Sequence, residues 1–94
     1  MVEEDIMDLE HRAIEHLRRL RLGASMTEAE LGALAFPEAK NPRLKISGLS
    51  NVKTKNGAAL RLRLGDFCSI CEAMGKDPAQ ELFTVWAGFK SQEK

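Results

Sequence analysis

Three groups of residues in this chain are of types that do chemistry. Cys68-Ser69-Ile70-Cys71 is a Cys-x-x-Cys pair. That spacing serves thiol–disulfide exchange when it opens a helix after a strand, or half of a zinc site when a second pair completes it. Neither context is present: the pair falls inside a stretch patterned as a helix, with Cys71 on the apolar face, and the chain has 2 cysteines in all. A free cysteine so placed packs as a small hydrophobe. His11 and His16 are five apart, about 140° around a helix, so they do not converge on a metal, and the charges around them mark them as surface residues. No nucleophile is spaced to a base and no glycine-rich phosphate loop follows a strand. These patterns predict no enzyme, no metal, no cofactor and no small-molecule substrate.

The third group is a set of bases hidden under a net charge of +0. Between Ala39 and Gly65 stand Lys40, Arg43, Lys45, Lys53, Lys55, Arg61 and Arg63 with no acid among them. The first ten residues hold Glu3, Glu4, Asp5, Asp8 and Glu10 and no base, while Arg12, Arg18, Arg19 and Arg21 form a second basic group against Glu15. Such segregation in a neutral chain points to a polyanionic partner. With 5% aromatics and no tyrosine, the composition argues against a stacking platform for single strands.

These side chains need a scaffold, and 94 residues make one domain with a small core. A hydrophobic content of 44% and a charged content of 30% are those of a globular protein. No apolar run approaches the ~20 residues that span a bilayer. An acidic start where an export signal is basic, and only two cysteines, predict a cytoplasmic, reduced setting and no membrane partner.

Periodicity predicts five helices. Ile6, Leu9, Ala13, Leu17 and Leu20 lay an apolar stripe along a first helix from Glu3 to Leu22, with acids in its first turn, arginines in its last and Gly23 as its stop. Thr27 and Glu30 form a capping box for a second helix, stapled by Met26 and Leu31 and ended near Phe36 by Pro37. Asn41-Pro42 opens a third, from Pro42 to about Ser50, with Ile46 and Leu49 inward. Val52 to Leu64, with Asn56-Gly57 and the alternating Leu60-Arg61-Leu62-Arg63-Leu64, fits a small hairpin or an extended basic loop equally. A fourth helix runs from Asp66 to Met74 with Gly75 as its C′ residue, and Asp77-Pro78 opens a fifth through Leu82, Phe83 and Trp86. The fold class predicted is a compact all-α, five-helix bundle.

Two helices joined by a turn, the second starting in a basic stretch, suggest a helix-turn-helix. The second helix of such a unit enters the major groove N-terminus first. That makes Arg43, Lys45 and Ser47 the candidates for base edges, and Lys40, Asn51, Lys53, Lys55, Arg61 and Arg63 the candidates for phosphates.

At this point the sequence resembles a family, the Cro/C1-type, lambda-repressor-like helix-turn-helix regulators of phages and bacteria, in particular its small single-domain members. The resemblance covers roughly Leu17 to Phe83. It is carried by Met26-Thr27-Glu28-Ala29-Glu30-Leu31, by Ile46-Ser47-Gly48-Leu49-Ser50-Asn51, by Leu62-Arg63-Leu64-Gly65-Asp66-Phe67, and by Ile70-Cys71-Glu72-Ala73-Met74-Gly75 with Asp77-Pro78. It implies sequence-specific binding of double-stranded DNA by a small transcriptional regulator, as a homodimer on two half-sites. The chain departs from the family pattern in a longer link between the second and third helices, holding Pro37 and Pro42, in Glu28 where many relatives have glutamine, and in a longer Asn56-Gly57 region. The acidic first turn, Glu28 and the longer link motivate the alternative, a protein-interaction module on the same scaffold, such as an antitoxin-like or anti-repressor partner. Phe83, Val85, Trp86 and Phe89, in and beside an apolar tail at residues 84–94, either cover the end of the bundle or form a dimer interface.

Overall fold

The computed structural model describes residues 1–50 and 61–91, and among them are five α-helices and no strand. They are α1 (Glu3–Gly23), α2 (Glu28–Ala35), α3 (Pro42–Ser50), α4 (Leu64–Ala73) and α5 (Pro78–Ser91). The chain is therefore all-α, and among the described residues no helix is long and apolar enough to cross a membrane. The hairpin or basic loop expected after α3 lies, up to Leu60, outside the described residues, and so do Asn51, Lys53 and Lys55.

The helix ends follow from local chemistry. Asp5 accepts the Val2 N–H at 3.2 Å at the start of α1. At the start of α2 the capping box is reciprocal: Thr27 Oγ1 accepts the Glu30 N–H at 3.0 Å, and Glu30 Oε1 accepts the Thr27 N–H at 2.9 Å. Those bonds from Thr27 hold the Glu30 carboxyl below the usual carboxylate range. Asn41 Oδ1 accepts the Leu44 N–H at 3.3 Å, so α3 starts at Pro42 as its cap dictates.

Two helices end in Schellman motifs. Gly75, at φ 72°, closes α4, with Lys76 N–H donating to Cys71 C=O at 2.8 Å and Gly75 N–H to Glu72 C=O at 3.0 Å. The matching motif after α1 corrects the expected stop. Gly23 is the last helical residue, and the left-handed position falls on Ser25, at φ 56°. Met26 N–H reaches Arg21 C=O at 3.1 Å, and the Arg21 side chain returns a bond to Met26 C=O at 2.8 Å, which fixes the turn around a residue that fits it poorly.

α4 begins two residues earlier than the pattern predicted. Arg63 is its extended N-cap, at φ −85° and ψ 152°, and Leu64 is already helical. The alternation of Leu62, Arg63 and Leu64 thus arises from a helix start, where Asp66 in the first turn suits the helix dipole better than it would suit a strand.

Every helix sends residues to one core: Ala13 and Leu17, Leu31 and Ala35, Ile46 and Leu49, Phe67, Ile70 and Cys71, and Val85; Phe89 of α5 is buried as well. α2 packs on α3 and α4, and α1 packs on α5 and α3. Ser69 Oγ donates to Ala35 C=O at 2.6 Å, tying α4 to the end of α2. His16, expected on the surface, is instead half-buried and lies 2.8 Å from Glu81, joining α1 to α5 across 65 positions of sequence.

Candidate nucleic-acid interface

α3 is held against α2 by the absence of a side chain. A Cβ on Gly32 would stand 2.5 Å from Pro42 O and 3.0 Å from Arg43 N, so only glycine lets the first turn of α3 come this close. That contact sets how α3 projects beyond the six-residue link, residues 36–41. The first turn of α3 contains no acid, whereas α1, α2, α4 and α5 each carry at least one there. The positive end of its dipole is therefore left uncompensated by its own sequence.

Ile46 and Leu49 are buried as predicted. Opposite them lie Arg43 and Leu44, both exposed, and half-buried Ser47, whose Oγ donates to Leu44 C=O at 3.4 Å. Lys40 and Asn41 continue this exposed strip into the link. Lys45 is not in the strip. Its Nζ sits 4.4 Å from the Phe36 ring centroid and 3.7 Å from Asp66, so it faces the protein. The reason is angular: at 100° per residue Lys45 lies beside Leu49 and about 200° from Arg43, so the two cannot share a face. The same arithmetic would have found Leu44, which the sequence analysis passed over and the fold leaves 51% exposed.

Among the described residues, the phosphate candidates after α3 are Arg61 and Arg63, and each faces a carboxylate. Arg61 donates from Nε and Nη2 to the two oxygens of Glu10, at 2.6 and 2.7 Å. These bonds hold the Glu10 carboxyl below the usual range and raise Arg61 above its own. Arg63 Nε lies 3.5 Å from Asp66. Lys45, Arg61 and Arg63 together line an open recess with Leu49 and Asp66.

The four apolar residues of the C-terminal segment divide. Val85 and Phe89 are core residues, at 5% and 3% exposure, and are not available as an interface. They repeat at i, i+4 on the inner face of α5, and the expected tail is helix as far as Ser91. Phe83 and Trp86 face outward, at 65% and 42%, with Trp86 stacked on Phe89 at 5.7 Å.

Cys71 is fully buried, and burial pushes its thiol up to about 11, which keeps it neutral. Cys68, half-buried, sits in the second turn of α4, away from the free amides of the helix start. No group of three metal-ligating side chains occurs among the described residues. No family model, curated protein or solved structure matches the chain.

Proposed function

We propose that the chain is a small helix-turn-helix regulator that binds duplex DNA sequence-specifically, with the first turns of α3 in the major groove. The observation that carries this reading is the strip of Arg43, Leu44 and Ser47 at the capped, acid-free start of a helix seated on α2. The guanidinium of Arg43 suits guanine O6 and N7, the apolar Leu44 a thymine methyl, and the Ser47 hydroxyl several base edges. Lys45, with Arg61 and Arg63, belongs to the phosphate contacts instead, and Lys40 lies where a flanking phosphate would pass. The sequence resemblance to lambda-repressor-like regulators and the basic stretch after Ala39 support the same reading.

The test is duplex binding by fluorescence anisotropy across a salt series. Five phosphate contacts would give a slope of about −4.5 in log K against log salt. Absence of duplex binding by folded protein at low salt would remove the proposal.

One observation favours a second reading, a protein-interaction module. Phe83 and Trp86 form an exposed aromatic pair on α5, of the kind enriched at the centres of interfaces. If a second copy of this chain covers that pair, the same patch serves a homodimer on two half-sites. Sedimentation of the protein and of a Phe83→Ser variant separates a dimer from a monomer that keeps the patch for another partner.

A further inference from the structure

The recess between α3 and α4 holds its cations with two carboxylates that act differently. Asp66 stands 3.7 Å from Lys45 Nζ and 3.5 Å from Arg63 Nε. Those separations exceed a good hydrogen bond, so the N–H donors of both bases remain available to another acceptor. Asp66 is also fixed, with a side chain 14% exposed in the first turn of α4. Glu10 is the opposite case. It comes from α1, 51 positions away, and accepts two short bonds from the fork of Arg61. A phosphodiester presents the same pair of oxygens and the same single charge to the same two donors.

We propose that Glu10 is an internal competitor for the nucleic-acid backbone. In the free protein it occupies Arg61. When duplex binds, a backbone phosphate takes the Arg61 fork and Glu10 turns to solvent, while Asp66 stays and aims Lys45 and Arg63 at the same phosphate. This inference rests on the duplex-binding reading. Its effect falls on every backbone alike, because phosphates carry no base identity. Glu10 therefore lowers affinity for all sequences together, so that only sites with added base contacts from the Arg43 strip are held at moderate salt.

The test is a double-mutant cycle on affinity for one fixed duplex at low salt. Glu10→Gln keeps the shape and removes the charge, and is expected to raise affinity about two- to fivefold, the range for an exposed ion pair. In an Arg61→Gln background the same change is expected to have no effect. An equal gain in both backgrounds would mean that only overall charge matters, and would overturn the proposal, as would no gain in either. If the parent binds no duplex, the Arg61 Nε–H resonance is followed by NMR with inorganic phosphate as the probe. A saturable shift at lower phosphate in Glu10→Gln than in the parent upholds the competition and removes the duplex reading alone, whereas equal or absent shifts overturn the competition itself.

Discussion

Replacing Gly32 by alanine sets two effects of known size against each other. In a helix interior alanine is favoured over glycine by about 1 kcal/mol, so propensity alone predicts a stabler α2. The added Cβ, however, would lie 2.5 Å from Pro42 O and 2.6 Å from Pro42 C, roughly 1 Å inside the 3.4 Å where ordinary contact begins. Both atoms are backbone, so no rotamer change relieves the overlap, and the first turn of α3 must move. Overpacking costs about 1–3 kcal/mol, and a rigid obstacle puts this site at the upper end. The net expectation is a loss of about 2 kcal/mol, or ~8–16 °C in Tm for a chain of this size. Urea denaturation reads it as a lower midpoint at unchanged slope. Ala33→Gly, exposed on the same helix, serves as control and costs about 1 kcal/mol through propensity alone. Exchanges in opposite directions at adjacent positions should thus destabilise alike. A Gly32→Ala protein as stable as the parent would refute the close approach of α2 and α3, and with it the placement of the α3 strip.

Three further outcomes are expected. Ser25→Gly relieves a left-handed residue costing ~1–2 kcal/mol, offset by the greater freedom of glycine when unfolded, so thermal melting should show a gain of about 0.5–1 kcal/mol. Arg43→Ala should cost about 1–3 kcal/mol on the preferred duplex and relax preference at one base position, whereas Lys45→Ala should weaken all sequences alike and reduce the salt slope by about one unit; selection from a randomised duplex pool compares them. For Cys71 burial raises the folded thiol to about 11 from its ordinary 9.0, so the folded state holds its proton more tightly. The associated stability is full below about pH 9 and is lost as pH rises towards 11. A pH series of denaturation midpoints on the parent and on Cys71→Ala checks this, since the variant should lack that component of the decline.

The helices were legible where a few adjacent residues decide the outcome. Thr27 with Glu30, Asn41 with Pro42, and Gly75 each fix a helix end through bonds to amides or carbonyls within a few positions. The burial of Ile46, Leu49 and Cys71 followed from helical spacing. What local pattern did not show depends on distant partners. Lys45 turns inward because Phe36 and Asp66 come from other elements. His16 is drawn from the surface by Glu81, and Arg61 is committed to a glutamate on α1. For Val85 and Phe89, left open between cover for the bundle and an interface, the spacing already marked an inner face. The left-handed turn fell to Ser25 because the Arg21–Met26 bonds impose it, against local preference.

The pairing of α1 with α5 has a consequence for how the polypeptide is made. His16 leaves the ribosome 65 positions before Glu81, a wait of roughly 3–13 s at ordinary rates of synthesis. During that interval α2, α3 and α4 can settle on one another as they emerge, since their contacts are sequential neighbours or nearly so, while α1 carries the buried stripe of Ala13 and Leu17 without its final cover. The Asp8–Arg12 and Glu15–Arg18 pairs on its outer surface are complete within α1 itself, so the waiting helix is already coated with charge.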